Sequence, residues 1–376
     1  MRYAIWAVIL ISAPLYATPS ISVVTDTNNV VQGGTLTISG TGFTSYSTTT
    51  GTFDQFETGG FASYWASHNA LLIGTANQRN TFSTYNATHT FTSSSNDDAG
   101  LQGGGTTSRS WYVSYWWYVG SNWVWGSGTY GSSPTEWLSN IKMIRFWNTS
   151  GTATENVYLA FTGYNGSLYF LQEGHGEPIV ALHVGPAKLT KATWHEFRFQ
   201  FVDSSAPGVH DGSAKIFFDT MTIYNVTGQM YKTTEAANKR PQRVGFQNEW
   251  GCNDGTVNTT PCTPGDYYQD NVYVADTIAR VEICDQPVYT NCQEFPEIQR
   301  INSWTGTDIN ITYNGGSLTS GTTHYVFVVD NAGVASDGFP LVGPGGGSGG
   351  GGGGGSSTPH TGINGKSFVS GNAIIR

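Results

Sequence analysis

The sequence predicts an all-β protein, a two-sheet sandwich of the jelly-roll type. Three observations predict it. The first is composition: 49 Gly, 20 Tyr and 12 Trp stand among 376 residues, and charged residues are only 11%. Helix formers are scarce, so pleated strands and tight turns are favoured over helices. The second is period-two alternation of apolar and polar residues in many short segments. Turn signals separate them, at Asn165-Gly166, Asp211-Gly212, Asn253-Asp254-Gly255 and Pro264-Gly265. The third is the aromatic share of 14%, which supplies a large apolar core and argues against wholesale disorder.

Residues 1–17 read as a secretory signal peptide. Arg2 gives the positive start, residues 3–11 the short apolar stretch, and Leu15-Tyr16-Ala17 the cleavage site. That stretch is too short to cross a bilayer, and no later one is long enough, so no membrane span is expected. Lys and Arg number 17 against 26 Asp and Glu, a net charge of −9. Without a basic excess to displace phosphate counterions, nucleic acid is not an expected partner.

Expected strands follow in order at 35–39, 111–119, 141–147, 157–162, 168–171, 194–202, 215–219, 244–248, 268–274 and 279–283. The strand at 194–202 alternates most cleanly. His195, Phe197, Phe199 and Phe201 form its core face, while Trp194, Glu196, Arg198 and Gln200 form the other. His195 thereby reads as a hydrogen-bonded core histidine.

Four cysteines suit an exported chain. Cys252 and Cys262 are ten apart, Cys284 and Cys292 eight apart. Neither pair has the CxxC spacing of zinc sites. Of three connectivities, the sequential pairs are favoured because each closes a short, turn-rich loop. Asn-x-Ser/Thr sequons stand at Asn86, Asn148, Asn165, Asn225, Asn258 and Asn310.

The two ends of the globular region look like halves of one smaller domain. A Gln32-Gly33-Gly34 turn leads into Thr35-Leu36-Thr37-Ile38-Ser39-Gly40-Thr41-Gly42-Phe43. This resembles the opening strands of an IPT/TIG immunoglobulin-like domain. Trp304-Thr305-Gly306-Thr307-Asp308-Ile309-Asn310-Ile311-Thr312 and the segments 321–330 and 332–336 resemble its later strands. The resemblance implies an Ig-like sandwich split into 18–48 and 293–342, with a jelly roll inserted at 49–292. The inserted region resembles the concanavalin A-like lectin/glucanase superfamily, including polysaccharide-lyase-like jelly rolls. Its carriers are Phe53-Asp54-Gln55-Phe56-Glu57, Trp194-His195-Glu196-Phe197 with Asp211-Gly212, and Tyr267-Tyr268-Gln269-Asp270-Asn271-Val272-Tyr273-Val274. Residues 343–357 are a Gly/Ser run that reads as a flexible tether, and 358–376 as a tail or a joining strand for self-assembly.

Such jelly rolls hold polysaccharides in an open groove, where rings stack on aromatics and hydroxyls meet polar side chains. Candidate ligand contacts are Trp116, Tyr118, Arg145, Glu196, Arg198, Gln247 and Glu249. A lyase needs a Tyr, His or Lys base and a cation against the uronate carboxylate; Arg145, His183, Tyr158 and Lys142 are the raw material. The glucanase pattern "E-x-D-x-x-E" is absent, and Glu294 to Glu297 has the wrong spacing and a proline. Outside the Gly/Ser run, no Gly-x-Ser-x-Gly elbow occurs. No cofactor is called for; Ca2+ is the ion that the oxygen-rich turns at Asn96-Asp97-Asp98 and Asn253-Asp254 could hold. The leading expectation is a secreted or cell-surface protein that binds a polysaccharide or surface glycan without catalysis. The alternatives are a lyase of acidic polysaccharide and a subunit of an extracellular filament or coat.

Overall fold

The structure, a computed structural model, describes residues 17–341 apart from 28–29, 45, 47–51, 70, 91–99, 105–107, 124–139, 148–155, 163–166, 174–179, 232–242, 247–249, 252–264, 293–295 and 319–320. Residues 1–16 of the expected signal peptide (1–17), the residues beyond 341, Gln247, Glu249, Cys252, Cys262 and both Ca2+ candidates lie outside the described residues. No α-helix occurs among the described residues. The chain is all-β, as the sequence predicts.

Two eight-stranded sheets face each other. The first runs β15 (Met221–Gln229), β14 (Gly212–Phe218), β13 (Trp194–Val202), β8 (Ser110–Val119), β18 (Asp266–Ala275), β6 (Asn86–Thr90) and β5 (Leu72–Gly74), with β3 (Thr52–Asp54) paired to β18. The second runs β12 (Val180–Lys188), β11 (Ser167–Glu173), β10 (Asn156–Thr162), β9 (Asn140–Trp147), β16 (Arg243–Phe246), β7 (Gly100–Gly104) and β4 (Trp65–Asn69), with β17 (Trp250–Gly251) on β9. The alternating residues meet between them. Trp111, Val113, Tyr115 and Trp117 of β8 join Phe197, Phe199 and Phe201 of β13, and Ile144 and Phe146 of β9 close from the other side. Tyr115 lies opposite Phe197, and their rings stack at 5.4 Å. Trp117 stacks on Tyr267 at 4.7 Å.

A smaller sandwich is built from both ends of the described chain. One sheet runs β1 (Ser20–Thr25), β2 (Thr35–Thr41), β22 (Asp308–Thr312) and β21 (Arg300–Trp304). The other runs β20 (Glu297–Ile298), β19 (Arg280–Cys284), β23 (His324–Val329) and β24 (Phe339–Leu341). Leu36, Ile38, Ile309, Ile311, Val281, Ile283, Val326 and Val328 form their common core. The sequence reading placed 280–284 in the large roll; it pairs instead with β23 and β20, so a boundary at 292 falls too late.

Cys284 and Cys292 are disulfide-bonded at a sequence separation of 8. Closing so short a loop constrains the unfolded chain, and Cys292→Ser is expected to cost about 2–3 kcal/mol. A guanidinium unfolding midpoint unchanged by the substitution would refute this. The sequon at Asn86 is no glycan acceptor in this fold: Asn86 is fully buried, and its Nδ2 donates to the Ala76 carbonyl at 2.6 Å.

Candidate functional site

The sequence-predicted ligand contacts do not form one site. Trp116, Tyr118, Glu196 and Arg198 stand on the outer face of the first sheet, while Arg145 stands on the second. The outer face of β8 is covered. Trp116 is 6% exposed and Tyr118 9%, too little for an open aromatic row. The Arg79 guanidinium lies 4.5 Å over the Trp116 ring. It donates to both carboxylate oxygens of Glu297, at 2.9 and 3.2 Å, with both side chains 2% exposed. Nearby, Tyr112 Oη donates to Glu282 at 3.0 Å, and Arg280 sits 4.2 Å over the Tyr112 ring. Glu282 and Glu297 belong to the small sandwich. The polar face of β8 and β13 is therefore a seat for that sandwich and no groove for sugar. Alternation identified the face, but the strands that cover it come from far along the chain.

This seat holds seven ionisable side chains. Arg79, Arg198 and Arg280 oppose Glu196, Asp270, Glu282 and Glu297. Glu196 is paired with Arg198 at 3.3 Å. Burial pushes the Glu196 carboxyl up to about 8, against the pull of Arg198. Burial likewise raises Asp270 to about 7, against Arg79 and the Ser83 hydroxyl. Burial would raise Glu282 too, but Arg280 and Arg198 outweigh it and hold it below the usual range. His195 is a hydrogen-bonded core histidine, as read: Nδ1 meets Asp219 at 2.9 Å and Nε2 meets the Thr190 hydroxyl at 2.9 Å.

The second sheet gathers the other set. Ladder partners point to the same side of a sheet. Arg145 on β9 stands opposite Tyr158 on β10. Lys142 stands opposite Ala160, Ala160 opposite Tyr169 on β11, and Tyr169 opposite His183 on β12. Positions 142, 145, 158, 169 and 183 thus share the outer face, while Ile144, Phe146, Val157, Leu159, Leu168 and Phe170 fill the core. Lys142 and Arg145 are three apart and would face opposite ways on a regular strand. The register shifts between Leu159 and Ala160, leaving Met143 as an extra residue, and this bulge brings both cations to one side.

The Lys142 ammonium lies 4.6 Å over the Tyr158 ring. Both residues are buried, and Arg145 is half-buried. On the far side of Arg145 stands Gly245 of β16, which contributes no side chain, and opposite Gly245 stands Gln102 of β7. Sequence reading missed Tyr169 and Gln102. Tyr169 was legible, because Leu168 and Phe170 flank it on the core phase; Gln102 lies among glycines with no alternation to mark it. Neighbouring strands are ~4.8 Å apart, so the face from β9 to β12 spans ~14 Å. Among the described residues no group of three His, Cys, Asp or Glu could hold a metal ion, and no helix is long and apolar enough to cross a membrane.

The sequence matches no protein-family model and no curated protein. Several solved structures are similar. One is an endo-β-1,4-glucuronan lyase from the fungus Trichoderma reesei, at 13% identity and a TM-score of 0.44, covering 58% of this chain and 94% of that one. Another is an alginate lyase from a Chlorella virus, at 9% identity and a TM-score of 0.43, covering 59% and 97%. A third is the alginate lyase Aly36B, at 15% identity and a TM-score of 0.42, covering 60% and 96%. At these scores the likeness carries no argument about what this chain does.

Proposed function

We propose that the large sandwich cleaves a uronate-bearing polysaccharide by β-elimination on the outer face of β9–β12. The supporting observation is Arg145 opposite Tyr158, with Lys142 brought to the same side by the Met143 bulge. In this reaction a base removes the proton on C5 of a uronate. The carboxylate sits on that same carbon and must be neutralised as charge develops. Two groups converging on one carbon fit residues that face each other on strands ~4.8 Å apart. Arg145 neutralises the carboxylate, and Lys142 adds positive charge beside the Tyr158 ring. Tyr158 or His183 takes the proton. The C4–C5 double bond forms as the C4–O4 bond breaks, and the departing oxygen takes up a proton.

Incubation with polyuronates is expected to give shortened chains with the ultraviolet absorbance of an unsaturated uronate. Arg145→Ala should lower that rate by about a hundredfold or more, with the melting temperature unchanged. Tyr158→Phe and His183→Ala identify the base, because only its loss takes the rate to background. A folded protein that produces no absorbance with any polyuronate ends the catalytic reading. The burial of Tyr158 and Lys142 favours a second reading, binding of an acidic glycan without cleavage. It requires retarded migration through polysaccharide gels without product.

The proposal includes the surrounding organisation. The small sandwich is an IPT/TIG-like carrier interrupted by the large one, a reading supported by β2 pairing with β22. Export is supported by the Cys284–Cys292 disulfide, since such bonds persist in oxidising compartments.

A further inference from the structure

We infer a second binding site, for a short neutral saccharide, in the cleft where the two sandwiches meet beside Tyr46, Tyr64 and Arg300. The cleft has a volume of about 630 Å3, within the usual range for small-molecule sites, and junctions between folded units are their common location. Phe53, Gln55, Glu57 and Tyr64 line it from the large sandwich's side, and Tyr46 and Arg300 from the small one's. Its rings are fixed. Tyr46 stacks on Trp304 at 5.3 Å, and its hydroxyl is 3.0 Å from that of Tyr273. Phe53 packs edge-on to Tyr273 at 6.0 Å. The Tyr64 ring lies against Gly103, where a Cβ would come within 2.1 Å of it.

Two polar groups here lack partners. The Tyr64 hydroxyl is buried with no hydrogen-bond partner among the described residues. Burial holds its phenol in the protonated, donating form. Arg300 is exposed, and its guanidinium makes no ion pair among the described residues. Asp54 is already used by Phe56 N at 3.0 Å, Ala62 N at 2.8 Å and Trp65 Nε1 at 2.7 Å. The formal charge of the lining is Asp54 and Glu57 against Arg300, one net negative charge, which disfavours a polyanion. Glu57 accepts from Thr84 N at 2.9 Å and Gln55 Nε2 donates to Asn314 at 3.2 Å, so flat rings for C–H faces, with the Arg300 guanidinium, the Tyr64 phenol and the remaining lone pairs of Glu57 and Gln55 for hydroxyls, suit an uncharged sugar. No residue of β9 to β12 lines the cleft. The inference does not rest on the elimination chemistry.

The test is calorimetric titration of the full chain with cellohexaose, mannohexaose and, separately, an oligogalacturonate. Saturable binding of one neutral hexasaccharide is expected. Arg300→Ala and Tyr64→Phe should each weaken it by about tenfold without moving the melting temperature. Arg145→Ala, which should slow elimination about a hundredfold, should leave it unchanged. No saturable heat with either neutral sugar overturns the site. So does binding that Arg145→Ala removes, or that Arg300→Ala and Tyr64→Phe both leave intact.

Discussion

Replacing Arg79 by methionine is expected to cost about 3–5 kcal/mol of stability, because it strands a buried carboxylate. Glu297 has no route to water once its partner is gone. It is 2% exposed and accepts from Ser317 N at 2.7 Å, Ser317 Oγ at 2.9 Å and Asn314 Nδ2 at 3.4 Å. Gly316, at a φ of +51°, passes so close that a Cβ there would lie 1.8 Å from the carboxylate carbon. A solvated alternative rotamer has no room. Glu297→Gln removes the charge and keeps an oxygen for the same donors, so adding it to Arg79→Met should recover part of the loss. The four proteins form a double-mutant cycle, read from guanidinium unfolding midpoints. A midpoint in Arg79→Met near that of the wild type would mean that the ion pair does not hold the sandwiches together.

The second large effect follows pH. Glu196 titrates near 8 and Asp270 near 7 in the folded chain because burial disfavours their charged forms. Unfolded, both return to the ordinary carboxylate range near 4. The folded state therefore binds more protons than the unfolded state between roughly pH 4 and pH 8, and stability falls as pH rises through that window. The penalty is absent below pH 4 and complete above pH 8, and it amounts to a few kcal/mol. Around Glu196 stand Arg198, Glu297, Glu282 and Arg79. Glu196→Gln is neutral at every pH. It should flatten the slope between pH 5 and pH 8 and raise stability above the wild type at pH 9. Parallel denaturation curves for the two proteins across this range would contradict the assignment.

Much of the fold was legible because its central strands place their large apolar core residues on a strict period of two. Residues 111–119 and 194–202 announce themselves through Trp111, Val113 and Tyr115 against Phe197, Phe199 and Phe201. The edge strands are silent. Met221–Gln229 is largely solvent-facing, so no apolar phase marks it, and Val180–Lys188 contains Gly185 and Pro186. The candidate site was half legible. Arg145, Tyr158, Lys142 and His183 are residues of the right chemistry, but only register shows that they share a face. A regular strand predicts the wrong side for Lys142, since the Met143 bulge depends on how β9 pairs with β10. The aromatic row at Trp116 and Tyr118 misled for a related reason: a polar outer face looks the same in sequence whether water or another layer covers it.

The pairing of β2 with β22 has a kinetic consequence. Asn310 Nδ2 donates to Thr37 Oγ1 across 273 positions of chain. Closing a flexible loop of that length costs about 5 kcal/mol of chain entropy before any contact rewards it. The large sandwich lowers that cost by roughly 1.4 kcal/mol when it forms first, because its own first and last strands are neighbours, with Asp54 opposite Val272. Refolding should therefore proceed from the inserted region outward. The small sandwich, though it holds the beginning of the described chain, is the last part to form, and it cannot persist once the large one has opened.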